Sequence, residues 1–197
     1  HGRYNFNRVR AMLVLSCMRS ASTSVTEAII KESGLPRHSV SNKLKRVAGY
    51  EHYPSSTASI IGEDMLIDWV CSRKYVIQEH LLPLPEHRQI LLSIPEEKRK
   101  IVVLKRDWED SFNSQMNRVG HCPYGSRGIN KESCRMSFKK FREDLEIYFP
   151  EKDGYLHVEF ENLIKNKTEI LSNILNYYGI IHDKEYIALG NYRCDRT

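Results

Sequence analysis

Short apolar runs alternate along this chain with longer segments in which apolar residues recur at helical spacing. Short apolar runs, and an alternating apolar–polar run at the last position, predict strands at about 11–16, 75–79, 100–105 and 155–160. Helical periodicity predicts helices near 22–32, 37–47, 59–72, 109–118, 136–148 and 168–178. Strands that alternate with helices favour a parallel sheet covered by helices on both faces. The pattern therefore predicts one three-layer α/β domain over residues 1–197.

The junction between the first strand and the first helix is rich in hydroxyl side chains and carries one arginine. A strand that turns tightly into a helix presents backbone N–H groups and the positive end of the helix dipole to an anion. The residues of this predicted phosphate or sulfate cradle are Arg19, Ser20, Ala21, Ser22, Thr23 and Ser24. The alternative is a serine-rich helix start that only satisfies its own backbone donors.

The cradle differs from the common nucleoside-triphosphate loop. That loop needs Gly-x-x-x-x-Gly-Lys-Ser/Thr, in which the lysine reaches the terminal phosphates. Here no glycine lies between Leu15 and Ser33, and no lysine precedes Lys31. A binding mode that uses Arg19 and hydroxyl groups is therefore expected.

A second anion-binding element is predicted where the strand at 100–105 ends. Arg106 follows that strand directly, and Ser114 lies two turns into the next helix, for which Asp107 is the predicted N-cap. Ligands of open α/β sheets bind at the carboxyl ends of the strands. Arg106 and Ser114 are therefore expected to hold one anionic group together.

These two segments resemble the sulfotransferases that use 3′-phosphoadenosine-5′-phosphosulfate (PAPS). The segment 18–23 resembles their Pro-Arg/Lys-Ser-Gly-Ser/Thr-Thr motif, with Met18 in place of proline and Ala21 in place of glycine. Arg106 and Ser114 have the spacing of their second motif, in which Trp108 replaces a proline. The segment 160–163 is similar to their Tyr-Glu-Asp-Leu segment, to which a packing role is assigned.

The resemblance implies a P-loop-like nucleotide-binding fold and transfer of a sulfuryl group from PAPS to a hydroxyl or amine by in-line attack. It places the 5′-phosphosulfate at residues 19–24, where Arg19 would neutralise developing charge, and the 3′-phosphate at Arg106 and Ser114. No metal is required for this chemistry. The acceptor is expected to be a small molecule or a glycan, and an anionic acceptor is one of the options.

Two neighbouring residues are candidates for the general base. His80 follows the strand at 75–79 and aligns with the histidine of the Lys-Thr-His-Leu-Pro segment of cytosolic sulfotransferases, with one extra leucine before the proline. Imidazole titrates near neutral pH, which suits proton abstraction. Glu79 is the competing candidate, because some relatives that modify glycans use a carboxylate. A pair that only hydrogen-bonds the backbone is the third interpretation.

Net charge, apolar run length and cysteine count limit the class of ligand and the cellular compartment that we expect. A net charge of +5 and an isoelectric point near 8.9 suit a polyanionic ligand, and nucleic acid or a sulfated glycan would fit as well as PAPS. No apolar run approaches the ~20 residues of a membrane span, so no membrane partner is expected. The odd count of 5 cysteines favours a reducing, cytoplasmic setting. His121, Cys122 and Cys134 are interpreted as ordinary loop residues in preference to a metal site or a nucleophile.

Two other function classes stay open. A P-loop phosphotransferase, such as a small nucleotide kinase, is disfavoured by the missing lysine. A non-catalytic protein that binds nucleotides or polyanions, including a basic nucleic-acid-binding domain, is the other alternative. Since the chain shows no aromatic–basic RNA motif and no recognition-helix signature, nucleic acid is not the expected partner.

Overall fold

A computed structural model describes residues 11–16, 19–35, 37–38, 75–79, 95–96, 99–122, 130–151 and 154–182. These residues form five strands and five helices. The strands are β1 (Ala11–Ser16), β2 (Arg37–His38), β3 (Tyr75–Glu79), β4 (Arg99–Lys105) and β5 (Leu156–Glu159). The helices are α1 (Ser22–Ser33), α2 (Trp108–Val119), α3 (Lys131–Tyr148), α4 (Phe160–Lys165) and α5 (Lys167–Tyr178).

The sheet is parallel, with the strand order β2-β3-β1-β4-β5. After β1, the next two strands along the chain, β2 and β3, lie on one side of β1, and the last two, β4 and β5, lie on its other side. The order therefore reverses beside β1, and such a switch point is where open α/β sheets bind ligands. The segments that follow β1 and β4 carry Arg19 and Arg106, so the topology brings both to this point.

The core covers both faces of the sheet. Alternate residues of a strand face opposite sides, and residues 12–15 of β1 and 101–104 of β4 are all buried. On one face, α1 and α5 pack against Met12, Val14 and Val102. Helices on both faces of a parallel sheet confirm the predicted three-layer α/β class.

Helix α5 is fixed to the central strand by a buried tyrosine. Tyr178, at the end of the helix, is 1% exposed and donates a hydrogen bond from its hydroxyl to the Leu13 carbonyl oxygen, 2.5 Å away. A buried phenol needs a polar partner, and this bond satisfies the hydroxyl, so the large ring is buried without the free-energy cost of an unpaired polar group. This bond therefore attaches the end of α5 to the middle of β1.

Most predicted elements lie within two residues of those observed, two differ, and one observed helix was not predicted. Residues 37–38 form β2, whereas the sequence predicts the start of a helix there; the rest of that predicted helix, and the one at 59–72, lie outside the described residues. Helix α3 starts at 131 and not 136, because the Asn130 side chain accepts a hydrogen bond from the Ser133 N–H at 2.8 Å. The short helix α4 begins where the predicted strand 155–160 ends.

Candidate functional site

The loop between β1 and α1 contains two residues in the left-handed backbone region. Arg19 has φ 66° and Ala21 has φ 61°, and these are the non-glycine residues with positive φ in the described part of the chain. Side chains with a Cβ avoid this region because of a steric clash that costs ~1–2 kcal/mol for each residue. Strained backbone of this kind concentrates at functional sites. Ala21 is thus in a conformation that glycine, the residue of the resembling motif, adopts without strain.

The predicted cradle surrounds the start of α1. This helix begins at Ser22, and its N-cap Ala21 has no side-chain oxygen that caps the helix. Ser22 is buried, Ser24 is half-buried and Thr23 is exposed. The first turn therefore points its hydroxyl residues in several directions around the positive end of the helix dipole.

A buried hydroxyl in the loop is left without a partner. The Ser20 side chain is 1% exposed, and its Oγ has no hydrogen-bond partner within the described structure. An unsatisfied buried hydroxyl is costly, so native proteins rarely leave one without a partner or a role. Ser20 therefore has an unused donor next to the start of α1, where an anion would supply the acceptor.

The two anion-binding elements predicted from sequence meet in the structure. The Arg19 Nε lies 3.5 Å from Ser114 Oγ, and the Arg106 Nη1 donates a hydrogen bond to the Arg19 carbonyl oxygen at 2.8 Å. Arg106 thereby fixes the backbone of the loop that carries Arg19. The loop after β1, Arg106 at the end of β4 and Ser114 of α2 are consequently parts of one site.

The Arg106 guanidinium is oriented by an aromatic ring. Its Cζ lies 4.2 Å from the centroid of the Phe160 ring, the first residue of α4. An arginine stacked on a ring is held in one plane while its N–H edges stay available. Arg106 Nε is buried and has no partner among the described residues. Phe160, for which the sequence predicts only packing, is thus also a positioning residue for Arg106.

A third arginine, which the sequence analysis missed, extends the site. Arg118 lies one helical turn after Ser114 on α2, so both residues lie on the same face. Burial lowers the pKa of Arg19, and the positive charges of Arg118 and Arg106 lower it further. The signal for Arg118 in the sequence was its i+4 spacing from Ser114. Arg19, Arg106 and Arg118 are called the arginine cluster below.

The arginine cluster has no carboxylate partner within the described structure. Two other arginines of the described residues are paired: Arg135 lies 2.6 Å from Glu109, and Arg142 binds Glu146. None of the cluster arginines forms an ion pair with an acid that the structure describes. Three neighbouring like charges raise the local positive potential, which attracts an anionic ligand. The cluster therefore has the charge pattern of an anion-binding site.

The predicted general base is only partly placed. Glu79 pairs with Leu15 of β1 in the sheet register, so its backbone reaches the same carboxyl edge as the loop that carries Arg19. The Glu79 side chain and all of His80 lie outside the described residues. The assignment of a base to either residue stays a prediction.

One pair of cysteines departs from the sequence analysis. Cys122 and Cys134 form a disulfide, with their Cα atoms 5.7 Å apart. Disulfides persist in oxidising compartments, so this bond contradicts the expectation of reduced thiols and ordinary loop residues for this pair. Placement in the cytoplasm stays a prediction that the bond weighs against. No helix within the described ranges is long and apolar enough to cross a bilayer.

The described residues form a parallel α/β fold that carries the arginine cluster at the carboxyl edge of its sheet. No protein-family model and no curated protein matches the sequence. Among solved structures, the sulfotransferase domain of the Synechococcus PCC 7002 olefin synthase aligns with 100% of this chain and 84% of its own, with TM-score 0.55 and 15% identity.

Two further similar structures come from different transferase classes. A gluconokinase from Sinorhizobium meliloti 1021 matches 92% of this chain and 98% of its own, with TM-score 0.53 and 16% identity. Mouse sulfotransferase SULT7A1, complexed with PAP, matches 91% of this chain and 62% of its own, with TM-score 0.54 and 13% identity. At these identities the likeness shows the P-loop-like fold, which kinases and sulfotransferases share.

Proposed function

We propose that this protein is a PAPS-dependent sulfotransferase. The observation that carries the proposal is the meeting of Arg19, Arg106 and Ser114 at the switch point of the sheet. A donor with phosphate groups at both the 3′ and 5′ positions needs two anion-binding elements close together. The loop after β1, together with Arg106 and Ser114 of α2, supplies such a pair.

The parts of the site take different roles in this proposal. The start of α1, with Ser20, binds the 5′-phosphosulfate, and Arg19 stabilises the charge that develops on the bridging oxygen. Arg106 and Ser114 bind the 3′-phosphate, and the Phe160 ring keeps the Arg106 guanidinium in plane. Arg118 adds a further cation at the exposed end of the site.

The reaction is a displacement at sulfur. An acceptor oxygen or nitrogen forms a bond to sulfur, the bond from sulfur to the bridging oxygen breaks, and adenosine 3′,5′-bisphosphate leaves. The chain contributes mainly position and charge, as in phosphoryl transfer. Glu79 or His80, both assigned from sequence, takes the acceptor proton. The mouse sulfotransferase complexed with PAP supports a donor of this class.

A P-loop kinase is the competing function, and the gluconokinase likeness favours it as much as the fold alone can. The composition of the loop counts against it. Residues 19–24 contain no lysine to reach a terminal phosphate and no glycine to let the backbone wrap around it. The arginine cluster beside Ser114 instead suits a second, separate phosphate.

Calorimetry with adenosine 3′,5′-bisphosphate and ADP, without magnesium, tests the proposal. Wild type is expected to bind the bisphosphate more tightly than ADP. Arg106→Ala is expected to lose this preference, with an affinity for the bisphosphate that is lower by about tenfold or more. Lys139→Ala, which removes an exposed cation from α3, is the matched control and should bind as wild type does. Equal affinity of wild type for both nucleotides would overturn the proposal, and tight binding of magnesium-ATP alone would favour the kinase.

A further inference from the structure

The Cys122–Cys134 disulfide joins the helix of the anion site to its neighbour. Cys122 follows the end of α2 at Val119, and Cys134 lies in the first turn of α3. Helix α2 carries Ser114 and Arg118 at the site. The bond therefore links a ligand-binding helix to one that contributes no residue to the site as described.

Helix α2 depends on α3 for its position. Among the described elements, the most extensive contact of α2 is with α3. Near the start of α2, Glu109 pairs with Arg135 at 2.6 Å, and the rings of Phe112 and Phe138 lie 5.8 Å apart, edge to face. These contacts fix the first half of α2.

The end of α2 is held through the segment that carries the disulfide. The Gln115 side chain, 5% exposed, donates a hydrogen bond from Nε2 to the His121 carbonyl oxygen at 3.3 Å. Cys122 follows directly and is bonded to Cys134, which is 1% exposed. The last turns of α2, where Ser114 and Arg118 lie, are thus connected to a buried point of α3.

We propose that the Cys122–Cys134 bond is a redox-sensitive clamp that holds Ser114 and Arg118 at the anion site, and that its reduction weakens ligand binding. The clamp rests on the proposed function only for the identity of the ligand. Helix ends without tertiary contacts open at low free-energy cost. Once the bond is broken, the second half of α2 opens more readily and the arginine cluster loses its fixed spacing.

Reduction by a dithiol follows ordinary thiol–disulfide exchange. A thiolate of the reductant attacks the sulfur of Cys122, which is partly exposed, and Cys134 leaves as a thiolate. The second thiol of the reductant then displaces Cys122 and closes a cyclic disulfide. The dithiol loses two electrons, and Cys122 and Cys134 each end as a thiol with one proton.

Calorimetry on three samples tests the clamp: wild type purified without reductant, wild type in dithiothreitol, and Cys122→Ser. Intact-mass analysis establishes the oxidation state of each sample. Reduction is expected to weaken binding of adenosine 3′,5′-bisphosphate to wild type about tenfold, the effect of one misplaced charged contact. Cys122→Ser should bind as weakly as reduced wild type and should not respond to dithiothreitol.

Two results would overturn the clamp: unchanged affinity after verified reduction, or free thiols at Cys122 and Cys134 in protein purified without reductant. Failure of every sample to bind the bisphosphate would instead refute the proposed function. Hydrogen exchange then decides the clamp by itself. Faster exchange of the amides of residues 111–119 on reduction supports it, and unchanged exchange overturns it.

Discussion

Ser20 and Thr26 both bury a hydroxyl that has no partner in the described structure, but of these two only Ser20 lies in the loop proposed to bind an anion. We expect Ser20→Ala to leave the free energy of unfolding unchanged or raised by up to ~1 kcal/mol, because it removes an unsatisfied group. Binding of adenosine 3′,5′-bisphosphate should weaken about tenfold, since the anion loses a donor. Urea unfolding and calorimetry measure the two effects.

Thr26→Val is the matched control for Ser20. Thr26 is 0% exposed on α1, and valine keeps its shape while it removes the hydroxyl. The variant should show the same direction of stability change with unchanged binding. If Ser20→Ala lowers stability and leaves binding intact, the hydroxyl is structural and its assignment to the ligand is wrong.

The backbone at Ala21 leads to a second prediction for a single residue. Ala21→Gly removes a Cβ from a left-handed conformation, φ 61°, and should raise the free energy of unfolding by ~0.5–1 kcal/mol after the entropic cost of glycine. Denaturant unfolding measures the change. Ala28→Gly, within the regular part of α1, should instead destabilise the protein. A destabilising Ala21→Gly would show that the loop carries no strain at this position.

Helix α2 presents Ser114 and Arg118 on one face, so Arg118 is expected to act on ligand affinity and not on folding. We expect Arg118→Ala to weaken binding of adenosine 3′,5′-bisphosphate about tenfold and to reduce the salt dependence of binding. The free energy of unfolding should stay the same or rise, because the positive charge next to Arg19 is removed.

Arg118→Lys separates charge from geometry in the same helix. A lysine keeps the charge but not the planar fork of donors, so partial recovery of affinity is expected. Calorimetry at several salt concentrations measures both quantities. Arg118→Ala with wild-type affinity and wild-type salt dependence would exclude Arg118 from the site.

The ends of β4 and β5 hold a partly buried charge network that includes His157. Lys105 of β4 lies 2.8 Å from Glu146 and 3.7 Å from Glu159. Burial raises the pKa of Glu146, but hydrogen bonds to Lys105 and Arg142 outweigh this effect and lower the pKa to about 2. The His157 Nε2 donates to the Phe149 carbonyl oxygen at 2.6 Å. This network fixes the strand ends next to which Arg106 and Phe160 lie.

Burial lowers the pKa of His157, and the positive charge of Lys105 lowers it further. The unfolded chain, with the ordinary pKa of about 6.5, then binds more protons than the folded protein. The contribution of His157 to stability is therefore complete above pH ~6.5 and is lost as the pH falls below that value. Urea unfolding between pH 5 and pH 7.5 should show that the difference in the free energy of unfolding between wild type and His157→Gln changes over this range. A constant difference would contradict a lowered pKa of His157.

At the scale of the whole molecule, hydrophobic patterning was enough to predict the class of fold. Residues 12–15 and 101–104 are buried on both faces of the sheet. Continuous apolar runs are typical of parallel strands, and the bounds of β1, β3 and β4 agree with the sequence prediction to within one residue. The two-residue strand β2 is too short and polar for a periodic signal, and the sequence predicts a helix there.

The sequence predicts those residues of the candidate site that follow strand ends, but not those whose role depends on packing. Arg19, Arg106 and Ser114 could be found because each has a fixed relation to a strand end. Arg118 was missed because its role depends on which face of α2 meets the loop, a property of packing. The disulfide was missed because connectivity depends on the distance between Cys122 and Cys134, which sequence spacing does not give.

We propose that the carboxyl edge of the sheet binds a nucleotide with separate 3′- and 5′-phosphates. A crystal structure of the protein with adenosine 3′,5′-bisphosphate tests it most directly. We expect the 3′-phosphate to lie within hydrogen-bond distance of Ser114 Oγ and the Arg106 guanidinium, and the 5′-phosphate to lie at the start of α1 beside Ser20. A nucleotide bound away from the carboxyl ends of β1 and β4, or bound there with its 3′-phosphate turned to solvent, would contradict it.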